Sequence, residues 1–157
     1  MALNHKRLAI TFLIISFLGF LDATYLAVEH YRGVTPPCTI VAGCEKVTTS
    51  RYATIFGVPV ALLGSIYYLT IFLLSVLVLE RKKERFLFWV GYLSGIGFLA
   101  ALWFLFLQVL VIRAICLYCV FSALTSTTLF VLGILVLKSK RDSGLDGPST
   151  TNRILAP

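Results

Sequence analysis

Four long apolar runs alternate with short polar segments along this chain. They extend from about Leu8 to Val28, Val58 to Leu79, Phe86 to Ile112 and Ile115 to Leu137. Each run has roughly the 20 residues that a helix needs to cross the hydrocarbon core of a bilayer. Because a spanning helix satisfies its own backbone hydrogen bonds, the pattern predicts an all-α integral membrane protein with four spans.

The ends of the runs refine this prediction. The first run is longer than the core of a signal peptide and no small-residue cleavage motif follows it, so we expect a retained helix. Pro59 suits the first turn of the second helix, where its missing N–H would have no partner. After Leu137 the sequence turns polar, which predicts a membrane domain of residues 1–140 and a disordered tail of residues 141–157.

The composition agrees with a lipid environment. Hydrophobic residues make up 59% of the 157 positions and charged residues only 13%, which is too apolar for a soluble domain of this size. The net charge of +7 comes from basic residues beside the apolar runs, not interleaved with aromatic residues on a polar face. That placement is typical of topology determinants and does not favour nucleic-acid binding.

The distribution of basic residues predicts the orientation. One side of the membrane has ten Lys and Arg residues: Lys6, Arg7, Arg81, Lys82, Lys83, Arg85, Lys138, Lys140, Arg141 and Arg153. The other side has four: Arg32, Lys46, Arg51 and Arg113. By the positive-inside rule both termini lie in the cytoplasm, and the long loop between the first two spans faces outward from the cell membrane.

All four cysteines fall on the predicted outer side. Cys38 and Cys44 lie in the long loop, and Cys116 and Cys119 lie at the outer end of the fourth helix. At a helix start, unpaired N–H groups and the helix dipole stabilise a thiolate on Cys116, and Arg113 adds positive charge. Since the thiolate attacks in disulfide exchange, this location favours a reactive pair.

The loop pair lies in a segment that is poor in regular structure. Pro36, Pro37 and Gly43 shape turns around it, so the segment can swing between an outside partner and the helix-start pair. We therefore predict a transient mixed disulfide between Cys44 and Cys116.

Two structural roles for the cysteines compete with this interpretation. Two static disulfides would make the protein a non-catalytic membrane scaffold, but a CxxC at a helix start tends to form a strained and labile disulfide. A zinc site would have the right number of ligands but lacks the paired short spacings of structural zinc sites. We expect no metal.

These residues resemble the vitamin K epoxide reductase family from about Gly19 to Val136. The resemblance rests on Cys38 and Cys44, on Cys44-Glu-Lys-Val-Thr-Thr-Ser50-Arg51-Tyr52, on Ile55-Phe56-Gly57 leading through Pro59 to Gly64, and on the Cys116/Cys119 pair.

The resemblance implies a four-helix bundle around a quinone, with a short outer helix in the long loop. Cys38 and Cys44 would exchange with a thioredoxin-like partner, Cys116 would accept electrons from Cys44, and Cys119 would lie next to the quinone. The implied quinone-pocket residues are Ser50, Ala53, Phe56, Tyr118 and Ala123. A serine at position 50 serves equally well as a helix cap.

Two differences from the vertebrate members of the family narrow the expected function. The five residues between Cys38 and Cys44 resemble the prokaryotic branch of the family. The substrate-contacting Asn and Tyr of vertebrate members align with Ala53 and Ala123, which does not favour epoxide reduction.

The chain also lacks the thioredoxin-like domain that some bacterial relatives carry, so we expect a separate DsbA-like partner outside the cytoplasm.

The sequence thus predicts a membrane thiol oxidase that passes electrons to menaquinone or ubiquinone and supports disulfide formation in exported proteins. Reduction of vitamin K or its epoxide is the alternative reaction. Asp22 is an acid well inside a span, where a charge costs roughly 2.5–3.5 kcal/mol, so it should face the bundle. Because quinone reduction consumes protons, Asp22 is a candidate for proton delivery; its alternative role is pairing with polar groups.

Overall fold

A computed structural model describes residues 5–37, 43–81 and 84–145 of the chain. Cys38 and residues 146–157 of the predicted tail lie outside these ranges, so their assigned roles stay predictions.

Helices make up almost all of the described structure. The order along the chain is α1 (His5–Arg32), α2 (Cys44–Thr48), a 3₁₀ turn (Arg51–Ala53), β1 (Thr54–Ile55), β2 (Val58–Pro59), α3 (Val60–Arg81), α4 (Glu84–Phe106), a π-helical segment (Leu107–Ile112) and α5 (Leu117–Leu145). The predicted all-α class is confirmed, and the short outer helix implied by the resemblance corresponds to α2.

Four helical segments among the described residues are long and apolar enough to cross a membrane. They are Arg7–Arg32, Val60–Glu80, Phe88–Ile112 and Leu117–Lys138. These segments agree closely with the four predicted spans. The last helix ends later than predicted, because α5 continues to Leu145.

The four long helices pack as a bundle in which α1 contacts α3 and α5, and α4 contacts α3 and α5. Phe12, Tyr68, Ile71, Val90 and Leu129 are almost completely buried at the centre. Many other large apolar side chains on the same helices are exposed. That inside-out distribution is typical of helices whose outer faces meet lipid.

Small residues allow the helices to approach closely. A Cβ added at Gly19 on α1 would overlap the ring of Tyr68 on α3, and one added at Gly133 on α5 would overlap Ser94 on α4. Without a hydrophobic driving force between helices in lipid, such close contacts hold a bundle together by van der Waals packing.

A tight hairpin leads into α3. Thr54 pairs with Pro59 and Ile55 with Val58, and the two residues of the turn, Phe56 and Gly57, have φ angles of 52° and 81°. Two positive φ angles match the twist of a two-residue hairpin. The prediction for Pro59 was wrong in detail, because Pro59 closes this ladder and α3 begins at Val60.

The connection between α4 and α5 is a π-helical segment followed by a sharp reversal. Arg113, with a φ of 52°, adopts the left-handed conformation at the end of the segment. The backbone N–H groups of Arg113 and Ala114 both donate to the carbonyl of Gln108. This reversal brings the start of α5 back against the end of α4.

Candidate functional site

Cys116 caps the N-terminus of α5. Its carbonyl accepts the first hydrogen bond of the helix, from the N–H of Val120 at 3.0 Å. A hydrogen bond from the Cys119 thiol lowers the pKa of Cys116 most, and backbone N–H groups of Cys119 and Tyr118 lower it further. Although burial and the charge of Asp22 oppose this, the pKa is lowered to about 7. A lowered pKa and a position at a helix N-terminus are typical of thiols that take part in disulfide exchange.

Gln108 of the π-helical segment fixes the position of Cys116. Its side-chain Oε1 accepts a hydrogen bond from the backbone N–H of Cys116 at 3.1 Å, and only 3% of Gln108 is exposed. The N–H groups at a helix start have no partner within the helix. The side chain of Gln108 supplies a hydrogen-bond partner for one of these N–H groups and holds Cys116 next to the end of α4.

Cys44 and Cys116 belong to one buried cluster with Val47. Cys44 is 1% exposed and Cys116 is 0% exposed, and Tyr118 and Cys119 pack against the cluster. The structure therefore brings together three of the four predicted redox cysteines. The fourth, Cys38, lies outside the described residues.

The glycine at position 43 allows α2 to approach the start of α5 closely. Gly43 directly precedes α2, and a Cβ added there would lie 2.7 Å from the backbone nitrogen of Ile115 and closer still to its oxygen. Because the opposing atoms belong to the backbone, a side chain at position 43 has no flexible neighbour to displace. Gly43 allows α2 to lie directly against the start of α5.

The cysteines are in different redox states. Cys44 is disulfide-bonded, whereas Cys116 and Cys119 are free thiols. A free dithiol at a helix start next to an oxidised cysteine is an arrangement suited to thiol–disulfide exchange.

A mostly apolar cavity of about 360 Å³ lies inside the bundle below this cluster. All four long helices contribute to its lining, and Val47, Thr48, Tyr52 and Ala53 of the outer segment cover one end. Cys119 is part of the lining, so the inner thiol of the CxxC pair faces the cavity. The volume falls in the range of small-molecule sites.

Three of the five implied pocket residues line the cavity, namely Ser50, Ala53 and Ala123. Ser50 precedes the 3₁₀ turn in the cap position, but its hydroxyl makes no cap hydrogen bond. It donates instead to the carbonyl of Val47 at 2.8 Å. Its hydroxyl thereby fastens the turn to the end of α2.

Phe56 and Tyr118 do not line the cavity. Phe56 lies at the hairpin tip with its side chain completely exposed. Tyr118 faces the outer loop, where its hydroxyl donates to the carbonyl of Pro37 at 3.5 Å and its ring lies 5.4 Å from the ring of Tyr25. The sequence could not separate these positions, because residue type does not reveal which way a loop or a helix end turns.

Asp22 points into the bundle, as expected from the free-energy cost of placing a charged side chain in lipid. One of its carboxylate oxygens, Oδ2, is buried and has no hydrogen-bond partner among the described residues. Asp22 does not line the cavity, but its charge contributes to the pKa of Cys116. Its role in proton delivery stays a prediction.

Sequence reasoning missed several cavity residues. His30 was assigned no role but lines the outer end of the cavity, and Tyr67, Gln108 and Ser126 were not singled out at all. Gln108 carried one usable signal, since a polar amide is costly in a spanning segment unless it has a partner there. Tyr67 and Ser126 carried no signal that distinguishes them from other polar residues in the spans.

A comparison with known protein families matches residues 10–134 to the Vitamin K epoxide reductase family. The chain belongs to this family. The match covers all four cysteines, the second and third spans and most of the first and fourth, and it confirms the resemblance predicted from the sequence. Together with the four apolar helices, it supports a multi-pass membrane protein with a redox function.

One characterised relative is the thiol-disulfide oxidoreductase LTO1 of Arabidopsis thaliana. It is 29% identical over 123 residues, which cover 73% of this chain and 32% of the relative. The chain thus spans about a third of the length of the relative that it matches.

Proposed function

We propose that this chain is a membrane thiol oxidase that carries electrons from a protein dithiol to a quinone. Electrons enter at Cys38 and Cys44, pass to Cys116 and Cys119, and leave to a quinone in the cavity. The observation that carries the proposal is the position of the CxxC pair. Cys116 is buried against Cys44, while Cys119, one helical turn further along α5, faces the cavity.

The reaction consists of two disulfide exchanges and one reduction. A partner dithiol reduces the outer disulfide and becomes a disulfide itself. The Cys44 thiolate then attacks the sulfur of Cys116 in the oxidised CxxC pair, which releases Cys119 as a thiolate. Cys38 resolves the mixed disulfide, so that the outer pair is oxidised again and the inner pair holds two electrons.

The last step transfers those two electrons to the quinone with two protons. The inner pair returns to a disulfide and the product is a quinol. The structure has the redox state that precedes this step in the proposed cycle, with Cys44 disulfide-bonded and both inner cysteines as thiols.

The shape of the cavity supports a lipid-soluble substrate. Its lining includes the exposed side chains of Leu63 on α3 and of Ile96 and Ala100 on α4. The cavity therefore opens sideways between these two helices toward the surface that meets lipid. A quinone such as menaquinone or ubiquinone enters by this route with its apolar tail left in the bilayer.

The lining favours quinone reduction over epoxide reduction. Ala53 and Ala123 both line the cavity, so the two positions that align with substrate-contacting polar residues in vertebrate members have only methyl groups here. The supply of electrons is the same in both reactions. The difference lies in the polar contacts available to the substrate.

The proposed orientation places the cysteines outside the cytoplasm. The partner is then a separate thioredoxin-like protein of the DsbA type, which oxidises exported proteins and is reoxidised here. Labelling of a single-cysteine variant in intact cells with a membrane-impermeant maleimide tests the orientation. The variant has a Lys46→Cys change as its single cysteine, at an exposed position of α2; labelling there in intact cells supports the orientation, and labelling that requires lysis contradicts it.

Turnover by the purified chain in detergent tests the reaction. We expect quinol to form from added quinone when a reduced thioredoxin-like protein is supplied, and each of Cys44→Ser, Cys116→Ser and Cys119→Ser to abolish it. Ser75→Ala, a change on α3 away from the cavity, is the control and should retain full turnover. Quinol formation that survives the cysteine changes would contradict the proposal.

A further inference from the structure

The cavity contains two hydroxyl groups, on Tyr67 and Ser126, that lie close enough to interact with each other but have no hydrogen bond of ordinary geometry among the described residues. Within residues 5–37, 43–81 and 84–145, three buried side-chain oxygens have no hydrogen-bond partner: Asp22 Oδ2, Tyr67 OH and Ser126 Oγ. Tyr67 and Ser126 line the cavity. A buried polar group without a partner is costly and calls for a physical explanation.

The neighbouring hydroxyls are satisfied. Tyr68, next to Tyr67 on α3, donates to the carbonyl of Ser122 at 2.7 Å, and its hydroxyl lies 2.8 Å from Oγ1 of Thr125. The protein therefore provides partners for a tyrosine hydroxyl in this layer of the bundle. Tyr68 and Ser122 also line the cavity, so among the deep hydroxyls of its lining only those of Tyr67 and Ser126 are buried without a hydrogen bond of ordinary geometry in the described part of the chain.

The surrounding structure holds these two hydroxyls in place. Ser126 is only 3% exposed and follows Cys119 by seven residues on the same face of α5, which places it about 10 Å deeper in the bundle. The Tyr67 hydroxyl lies against Gly97 of α4, where an added Cβ would overlap it. Gly97 therefore leaves the space that the Tyr67 hydroxyl occupies.

We propose that Tyr67 and Ser126 donate hydrogen bonds to one carbonyl oxygen of the bound quinone. This inference rests on the proposed function and names the residues that orient its substrate. The hydroxyls hold one end of the quinone ring deep in the bundle, and the reacting end extends toward Cys119. Tyr67 and Ser126 are thus the polar contacts that Ala53 and Ala123 cannot provide.

The chemistry of the lining selects this kind of ligand. Most small-molecule sites are apolar and use a few polar groups to fix the orientation of the ligand. Even if one of these neighbouring hydroxyls donates to the other, at least one donor is left that needs an acceptor, and a quinone carbonyl is an acceptor without a charge to desolvate. Reduction also places negative charge on the carbonyl oxygens, so donors aimed at one of them become more favourable as electrons arrive.

Binding of two matched ligands to the full-length chain in detergent tests the inference. The ligands are 2-methyl-1,4-naphthoquinone and 2-methylnaphthalene, which share a ring system and differ in the carbonyl groups. We expect Tyr67→Phe and Ser126→Ala each to weaken quinone binding on the order of 3- to 10-fold, as for one lost hydrogen bond, and to leave naphthalene binding unchanged.

Matched controls separate the hydroxyls from general effects of mutation. Tyr92→Phe removes an exposed hydroxyl on α4, and Ser75→Ala removes a buried one that donates to the carbonyl of Ile71 outside the cavity. Neither change should alter quinone binding. Gly97→Ala should weaken quinone binding as Tyr67→Phe does, because its methyl group displaces the Tyr67 hydroxyl, whereas Gly95→Ala meets only ordinary contacts and should not.

The carbonyl stretching band of isotopically labelled quinone gives a second readout. Hydrogen bonding lowers its frequency, so Tyr67→Phe and Ser126→Ala should shift the band back toward that of free quinone. Equal affinity and an unshifted band in both variants would overturn the inference and leave the proposed function intact. A parallel loss of naphthalene binding would also overturn it. Absence of quinone binding by the unchanged chain would overturn both the inference and the proposed function.

Discussion

The contact between Gly43 and Ile115 gives the sharpest test of how the two cysteine pairs meet. In the structure, a Cβ at position 43 would lie 2.7 Å from the backbone nitrogen of Ile115 and 3.1 Å from its carbonyl carbon. Ordinary van der Waals contact between carbon atoms begins at about 3.5 Å. A Gly43→Ala variant must therefore move α2 away from the start of α5 by on the order of 1 Å.

This displacement separates Cys44 from Cys116, since Cys44 directly follows Gly43 and Cys116 directly follows Ile115. A misplacement of about 1 Å between reacting groups costs on the order of 100-fold in rate. We therefore expect Gly43→Ala to lower turnover from a protein dithiol to quinone by about 100-fold. The inner pair is unchanged and α2 contributes only Val47 and Thr48 to the cavity lining, so quinone reduction by a pre-reduced Cys116/Cys119 pair should slow far less than the whole relay.

Two rates distinguish this effect from general damage. Steady-state turnover with a reduced thioredoxin-like protein measures the whole relay, and a single-turnover reaction of pre-reduced protein with quinone measures the last step alone. Gly95→Ala on α4 is the matched control, because its added Cβ meets only Phe130 at 3.8 Å. Unchanged steady-state turnover in a folded Gly43→Ala variant would refute the reasoning, as would an equal loss in both rates.

Three other changes probe the inner pair and its surroundings. Cys119→Ala removes the hydrogen bond that lowers the pKa of Cys116 most, so the pH midpoint of Cys116 alkylation should rise above about 7 and alkylation at neutral pH should slow. Gln108→Leu leaves the buried N–H of Cys116 without its acceptor and should lower the free energy of unfolding by roughly 1–3 kcal/mol, whereas Gln108→Glu retains an acceptor. If Asp22 delivers protons, Asp22→Asn should slow quinol formation at unchanged quinone affinity; full turnover in that variant would exclude the role.

Most of the bundle could be predicted from hydropathy and length. A spanning helix has to bury about 20 consecutive residues in hydrocarbon, and this requirement is visible in the sequence without tertiary information. The predicted start of the fourth span near Ile115 agrees with the start of α5 at Leu117. The grouping of Cys44 with Cys116 followed from topology, because both lie on the same predicted side of the membrane.

The local geometry around the site could not be predicted in this way. The π-helical segment and the left-handed Arg113 bring the Gln108 side chain to Cys116, and neither has a distinctive sequence signal. The hairpin turn places Phe56 at a positive φ, although glycine and asparagine are the residues that favour such a turn. Backbone hydrogen bonds hold both conformations: the β1–β2 ladder flanks the turn at Phe56, and the carbonyl of Gln108 accepts from Arg113 and Ala114.

Among the residues that line the cavity, some could likewise be predicted from the sequence and others could not. Ala53 and Ala123 could be placed near the cavity by family resemblance, because they align with known contact positions. The roles of Tyr67 and Gly97 depend on how α3 and α4 are rotated about their axes, which apolar sequences in lipid do not reveal. A helix that is hydrophobic all round has no amphipathic pattern from which to read its buried face.

Capture of the mixed disulfide tests the central claim most directly. In a Cys119→Ser variant, the Cys116 thiolate can attack the outer disulfide, and the mixed disulfide can then be resolved only by Cys38, because Cys119 is no longer present to release it from the inner side. Alkylation followed by mass spectrometry should therefore find Cys44 covalently joined to Cys116, and a Cys116→Ser variant should lack this species. Two fixed disulfides within the separate pairs of the unchanged chain, with no Cys44–Cys116 adduct in the Cys119→Ser variant, would contradict the relay.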